Sequence, residues 1–166
     1  MPEITTPREL FLHELGDIMY VERALSTEVL PKLVSEVTDE EFRGALEEHL
    51  EQTKRHLTNV EKVFEELGET PHAEKCIAFE GLKAEHDKLV SEASSDLVDS
   101  IDLGAAARTE CYEIAAYEGL RRMAKAMGED KAVGLLDRNL EEEKDALKLV
   151  EKIATRVSKE SAQALA

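Results

Sequence analysis

The chain has 166 residues, of which 42% are apolar and 35% charged, a balance that excludes a disordered protein and suits one domain with a sizeable core. Glycine (8), proline (4) and aromatic residues (4%) are scarce, which favours helices over strands. The formal net charge of −16 argues against binding to nucleic acid or to an anionic membrane. We therefore expect a single all-α domain over residues 1–166.

The compartment is predicted from the cysteines and from the absence of targeting patterns. Cys76 and Cys111 form no CxxC pair, which predicts free thiols in a reducing compartment. The first residues lack the basic and apolar regions of a signal peptide, and no apolar run approaches the roughly 18 residues of a membrane span. These features predict a cytoplasmic protein.

The first predicted helix begins at a capping box. Thr6 caps it, Pro7 suits the first helical position, and Glu9 completes the box. The apolar spacing continues to about Glu36. Because that spacing passes through Pro31, we expect a kink there rather than an end.

The second predicted helix follows closely. Thr38 and Glu41 form a second capping box, and the helix runs to Leu67, where Gly68 is a natural stop. A link this short predicts that the first two helices pack antiparallel.

Residues 69–99 form a long connection. A helix of about 20 residues starting at Thr70-Pro71 would rise about 30 Å and return the chain along a bundle. The small polar residues of 91–100 predict a break before the next helix. The side chains expected to face inward are Cys76, Phe79, Leu82, Leu89 and Val90.

The last two predicted helices form a second hairpin. One spans about 101–127 and ends at Gly128, and the next is capped by Asp130 and runs to about Val157. The tail, 158–166, is expected to fray.

The two hairpins predict a four-helix bundle with its core at about 7–157 and an additional helix between helices two and three. A weak internal repeat supports this layout, because a shift of about 91 positions lays Glu22 on Glu113 and Gln52 on Glu143.

Polar side chains interrupt the core-facing stripe of every long helix near its midpoint. These residues are Glu22, His49, Gln52, His56, Glu110, Glu113 and Glu143. An unpaired buried carboxylate costs several kcal/mol, so such groups are paired, neutralised or bound to metal. Carboxylates and imidazoles on facing helices are typical of a di-iron or di-manganese carboxylate site. This donor set predicts two divalent ions, with iron favoured, then manganese, then zinc.

The same residues could instead have structural roles. Glu110 and Glu113 could pair with basic residues, although none lies at mid-height on the other three stripes. His49 and His56 could be core or supporting histidines, and Gln52 suits a supporting position better than a ligand.

Several motifs resemble those of a known family. They are Asp17-x-x-Tyr20-x-Glu22, His49-Leu50-Glu51-Gln52-Thr53, Leu67-Gly68, Cys76 with Gly81-Leu82, Glu110-x-Tyr112-Glu113-Ile114-Ala115-Ala116-Tyr117, and Leu140-x-Glu142-Glu143-Lys144. Over about residues 5–157 the sequence resembles the YciE/YciF family of ferritin-like bacterial stress proteins. The resemblance implies a ferritin-like bundle with an added helix, often dimeric, able to hold two metal ions.

The sequence departs from the ferritin-like pattern of Glu-x-x-His on the second and fourth helices. Gln52 replaces the glutamate on the second helix, with His56 four residues on. Glu143 is followed by Ala146 and Leu147, so the fourth helix supplies no histidine.

Two classes of function follow. The first is a di-metal stress protein acting on O2, peroxide or Fe(II), and the alternative is a non-catalytic assembly or interaction protein with a vestigial metal site. A manganese catalase-like activity is a weaker option, and an iron-storage cage is weaker still.

Overall fold

The computed structural model describes residues 3–164, with side-chain surroundings for 3–162. Within this range the chain is helical and contains no strand. The helices, in chain order, are α1 (Pro7–Ala24), α2 (Leu30–Glu36), α3 (Glu40–Glu66), α4 (Ile77–Glu92), α5 (Val98–Met127) and α6 (Asp130–Ala164).

Four rods make the bundle. The first is α1 continued by α2, and the others are α3, α5 and α6. α1 packs against α3 and α5, while α6 packs against α3 and α5 on the opposite side. The short links after α2 and after α5 make two antiparallel hairpins, as predicted. α4 is the additional helix, and it packs on α5.

The core follows the predicted apolar stripes. Phe11, Leu15 and Ile18 of α1 are at most 1% exposed, and so are Leu103 and Leu120 of α5. Burying side chains of this size contributes about 1.5–3 kcal/mol each. The bundle is therefore held together mainly by these stripes, and the polar side chains among them need a separate explanation.

Pro31 does not end the first rod, as predicted. A π-helical turn, Leu25–Val29, joins α1 to α2, and the Leu30 N–H donates to the Leu25 carbonyl. Proline lacks an N–H, and its ring crowds the carbonyl four residues before it. The wider π turn just before Pro31 shifts the hydrogen-bond register, so the rod continues.

The start of α3 differs from the prediction, because Asp39 is the cap rather than Thr38. The Asp39 carboxylate accepts from the Phe42 N–H at 2.9 Å. Thr38 instead donates its hydroxyl to Asp99 at 2.6 Å, and the Thr38 and Asp39 N–H groups donate to the same carboxylate. Asp99 thus fastens the first hairpin to the start of α5.

Asp39→Ala should lower the free energy of unfolding by about 1–2 kcal/mol, because it removes the cap of α3. It also removes the ion pair with Arg156, whose guanidinium lies 2.8 Å from both carboxylate oxygens. Asp39→Asn is the matched control, since asparagine caps well but does not pair with Arg156. Urea unfolding would measure both, and a loss in Thr38→Val but none in Asp39→Ala would contradict this assignment.

α4 begins later than the predicted start at Thr70-Pro71. Its cap is Cys76, whose sulfur accepts from the Phe79 N–H at 3.3 Å. The preceding residues do not form a helix because they cross α1 at Gly16. The Glu74 N–H donates to the Gly16 carbonyl at 2.9 Å, and a Cβ on Gly16 would lie 2.9 Å from the Glu74 side chain.

Two further expectations are corrected. Leu89 does not face inward but is 39% exposed, because only the first half of α4 lies close to the core. α6 does not end near Val157 but continues to Ala164, since its last residues include no glycine or proline and Arg156 pairs with Glu160 one turn on. Residues 165–166 of the expected tail lie outside the described residues.

The state of the two cysteines and the composition of the helices were both predicted from the sequence. Cys76 is buried and Cys111 exposed, and both are free thiols, as expected. Among the helices of residues 3–164, none is both long and apolar enough to cross a membrane.

Candidate metal centre

The mid-height polar residues of the four rods converge at the waist of the bundle. Six of the seven predicted residues are at most 7% exposed, and Gln52 is partly buried. The converging residues are Glu22 of α1, His49 and His56 of α3, Glu110 and Glu113 of α5, and Glu143 of α6.

Helical spacing explains why α3 and α5 each supply two of these side chains. His49 and His56 are seven residues apart, which is two turns, so both imidazoles project from one face of α3. Glu110 and Glu113 are three residues apart and share a face of α5 in the same way. Antiparallel packing brings these faces to the same height as the single glutamates of α1 and α6.

The converging side chains form two groups that share one residue. The first contains His49, Glu110, Glu113 and Glu143, and the second contains Glu22, His56 and Glu143; one donor atom from each member lies within 4.8 Å of the others in its group. His49 Nε2 lies 3.2 Å from Glu110 Oε1 and 3.8 Å from Glu143 Oε2. Glu143 therefore stands between the two groups.

The second group is equally close-packed. His56 Nδ1 lies 2.7 Å from Glu143 Oε1 and 3.6 Å from Glu22 Oε1. The two oxygens of Glu143 thus face different histidines, one in each group. A carboxylate in this position can bridge two cations.

Several buried carboxylate oxygens have no hydrogen-bond partner among the described residues. Both oxygens of Glu113 and the Oε2 atoms of Glu22 and Glu110 are of this kind. Leaving a buried acceptor unsatisfied costs about 1–3 kcal/mol, more when it is charged. A folded chain that keeps several such atoms in one place is typical of a site that binds a cation.

Burial and mutual repulsion shape the titration of this cluster. Burial, reinforced by neighbouring carboxylates, raises the pKa of Glu110 and of Glu113 well above the usual range. Burial also raises the pKa of Glu22, to about 7, against the opposing effect of His56. The pKa of Glu143 is lowered, because His56 and His49 outweigh its burial.

The two histidines differ in charge. Burial lowers the pKa of His49. Burial acts in the same direction on His56, but the carboxylates of Glu143 and Glu22 outweigh it and raise its pKa to about 11. Without a bound cation, His56 is thus the positive group that partly neutralises the second group.

Supporting side chains lie just outside the cluster. The Gln52 Oε1 lies 3.3 Å from His49 Nδ1, which is the supporting position that the sequence favours. Glu142 also supports the centre, because its Oε2 lies 2.8 Å from His56 Nε2. Arg55 in turn donates to both Glu142 oxygens at 3.2 Å.

A second supporting chain was missed by sequence reasoning. Tyr117, fully buried, donates its hydroxyl to Glu22 Oε1 and accepts from the Asn139 amide at 3.0 Å. Asn59 donates to the Asn139 carbonyl oxygen at 2.8 Å. An asparagine that interrupts the apolar stripe of α6 one turn before Glu143 was the available signal.

Tyr117→Phe should lower the free energy of unfolding by about 1–3 kcal/mol, because Glu22 and Asn139 each lose a buried partner. Tyr20→Phe is the matched control, since the Tyr20 hydroxyl bonds Glu80 in a half-buried position and its loss should cost less. Chemical denaturation of both variants would measure the difference, and equal losses would contradict a special role for the Tyr117 hydroxyl.

Comparisons with known proteins place the chain in a family. The model of a domain of unknown function, DUF892, matches residues 6–163. Protein YciF from Escherichia coli (strain K12) is 33% identical over 159 residues, which is 94% of this chain and 95% of YciF.

Solved structures agree. The crystal structure of the E. coli stress protein YciF matches with a TM-score of 0.86 at 30% identity, covering 94% of this chain and 99% of that one. YcfI from Rhodopseudomonas palustris matches with a TM-score of 0.86 at 34% identity, covering 90% and 96%. A Xanthomonas campestris protein shares the fold at 18% identity and a TM-score of 0.75, covering 96% and 98%. These matches confirm the expected ferritin-like bundle, and the chain belongs to the DUF892 family, with YciF among its relatives.

Proposed function

We propose that this chain is a di-metal protein of the stress response, which binds two divalent ions at its waist and acts on O2, peroxide or Fe(II). Iron is the favoured metal, followed by manganese and then zinc. The observation that carries the proposal is the position of Glu143, whose two oxygens face two separate groups of buried donors. The stress role is carried over from the E. coli relative.

The donor set fits two ions in number and in charge. Each group contains one imidazole and at least two carboxylates. Together the groups include four glutamates, whose four negative charges would equal the charge of two divalent cations. The unpartnered oxygens of Glu113, Glu22 and Glu110 would gain the partners they lack.

The geometry also accounts for the two nitrogen donors, although the fourth helix of the bundle, α6, supplies no histidine. Both imidazoles come from α3, because His56 lies two turns after His49 and reaches the second group. Each group therefore has a nitrogen donor although α6 offers only Glu143. Arg55 and Glu142 hold the His56 ring from its outer side, which fixes the orientation of its Nδ1.

Bound iron or manganese would supply the redox chemistry, and the chain would hold the ions and keep bulk water out. The low exposure of every donor serves the second task. We also propose a homodimer in solution, on the basis of the family resemblance; sedimentation velocity would test it.

Titration of the metal-free protein with Fe(II), in air and under nitrogen, tests the proposal. We expect about two ions per chain, with catalytic oxidation in air, and loss of both in Glu113→Gln. Glu118→Gln is the matched control, because Glu118 lies on the same helix with its side chain 45% exposed. A wild-type protein that takes up no iron or manganese would contradict the proposal.

A second candidate function is a non-catalytic assembly protein that keeps the bundle and a vestigial site. The absence of a histidine beside Glu143, where Ala146 and Leu147 follow, favours it. Two ions bound without any oxidation of Fe(II), and no O2 released from peroxide by the manganese-loaded protein, would support this candidate over the first.

A further inference from the structure

A cavity of about 290 Å³ lies inside the α2 end of the bundle, next to the candidate metal centre. Its walls come from all four rods, including Leu33, Phe42 and Leu46. The first half of α4 lies along its mouth and contributes Phe79 and Leu82. The walls are mainly apolar.

Small residues open this space within the core. Ala106 of α5 and Ala146 of α6 line the cavity at positions where the stripes of neighbouring turns have larger side chains. A well-packed bundle leaves few voids larger than a water molecule, because each void forfeits contacts on its lining. An apolar recess of this size, open to solvent on one side and reaching into the bundle, therefore needs a reason.

The cavity reaches the donors of the first group. His49 and Glu110 both line it. These two are also the most exposed members of the cluster, at 7% and 4%, whereas Glu22, Glu113 and Glu143 are fully buried. The cavity is thus the side from which the centre is open.

Its size is more than a small oxidant needs. A water molecule occupies about 30 Å³, and an apolar cavity of about 150 Å³ holds a benzene molecule. O2 or peroxide would fill only a small part of the space. The volume suits an organic molecule of about ten to twenty non-hydrogen atoms.

The charges around the cavity decide the class of that molecule. Among the described residues that line it, Lys83 lies 3.7 Å from Glu28, and Arg108 lies 3.7 Å from Glu85. Two further basic side chains at its rim also have acidic neighbours: Lys32 lies 4.0 Å from Glu36, and His86 lies 2.7 Å from Asp102. None of these positive groups is left for an anionic head group, and Glu48 and Asp145 add negative charge to the lining. Burying a lone charge of either sign is costly.

We propose that this cavity binds an uncharged, mainly apolar organic molecule, and, if the proposed di-metal function holds, that this molecule is the centre's organic substrate or reductant. The apolar walls bind its body. His49 and Glu110 mark the end at which it meets the centre.

Binding of the uncharged fluorescent dye prodan to the metal-free protein tests the cavity. We expect saturable binding, weakened tenfold or more in Ala106→Leu and Ala146→Leu, because each adds a side chain to the space. Ala115→Leu, on the exposed face of α5, should bind like the wild type. Wild-type affinity in both cavity variants, with circular dichroism showing them folded, would overturn the proposal.

Competition identifies the ligand class. Decanol should displace prodan at least tenfold better than decanoate, and equal displacement would overturn the uncharged assignment. A cavity covered by a second copy of the chain would bind prodan only in dilute solution, and that concentration dependence would also overturn the proposal.

The cavity and the metal centre can fail separately. Prodan binding that persists in a wild-type protein unable to bind metal would leave the cavity standing and end the di-metal function. Metal binding without prodan binding would leave the di-metal function standing and overturn the cavity proposal. In Co(II)-loaded protein, decanol should shift the visible absorption, because it lies beside His49 and Glu110; an unchanged spectrum with decanol bound would overturn the substrate role.

Discussion

Glu113→Leu is expected to make the metal-free protein more stable while abolishing metal binding. Both Glu113 oxygens are buried, and neither has a hydrogen-bond partner within the part of the chain that the structure describes, so the glutamate costs stability wherever no cation is present. Leucine has a similar volume and no polar atom, and the gain should be about 1–3 kcal/mol in the free energy of unfolding. A carboxylate that stabilises the fold would give a loss of stability on replacement, so an increase in the free energy of unfolding would indicate that Glu113 is kept for metal binding.

Urea unfolding of metal-free samples, paired with metal analysis of loaded samples, would measure both effects. Glu118→Leu is the control, because it changes charge on the same helix at a position that is 45% exposed. It should bind metal normally and gain little stability. A Glu113→Leu protein that is less stable than the wild type would show that Glu113 serves the fold, and one that still binds two ions would contradict its role in metal binding.

The second large effect is expected in the pH dependence. Burial raises the pKa of Glu22 to about 7, and it raises the pKa of Glu110 and Glu113 well above their usual range. The folded metal-free chain therefore holds protons that the unfolded chain releases above about pH 4.5. The stability that they contribute is fully present below that pH and is lost as the pH rises toward the folded pKa values.

For Glu22 alone the loss is on the order of 3 kcal/mol between pH 4.5 and neutrality. The titratable groups facing it are His56, Glu143 and Tyr117, of which Tyr117 stays neutral and donates its hydroxyl to Glu22. His56 changes stability in the same direction at higher pH, because its folded pKa is raised to about 11. His49 and Glu143, whose pKa values are lowered, act in the opposite direction, but three glutamates have raised pKa values. We therefore expect metal-free protein to melt at lower temperature at pH 7 than at pH 5.

Metal binding should reverse this trend. A cation binds the ionised carboxylates and displaces their protons, so affinity should rise about tenfold per pH unit for each proton released. The increase in melting temperature caused by Mn(II) should thus be larger at pH 7 than at pH 5. Calorimetry in buffers of different ionisation enthalpy would count the protons, and an increment independent of pH with no proton release would contradict this account.

The sequence was sufficient to predict the bundle and the residues that converge at its waist. The stripe positions of Glu22, Glu110, Glu113 and Glu143 follow from helical periodicity, and the short links set the antiparallel packing that brings them together. These features depend on spacing along single helices. They do not depend on how a side chain is oriented once two helices meet.

The parts that were missed depend on that orientation. Glu142 and Glu143 are adjacent, but the rotation of α6 against α3 decides that Glu143 enters the cluster while Glu142 reaches the outer nitrogen of His56. Asp39, and not Thr38, caps α3 because the Thr38 hydroxyl donates to Asp99, which is distant in sequence. Spacing alone does not reveal such partners.

Crystals of the protein loaded with Fe(II) or Mn(II), with diffraction measured at the absorption edge of each metal, test the central claim most directly. We predict two anomalous peaks per chain, one beside His49 and one beside His56, with a Glu143 oxygen close to each. A map with no peak at the waist, in which the carboxylates keep only protein contacts, would contradict the account.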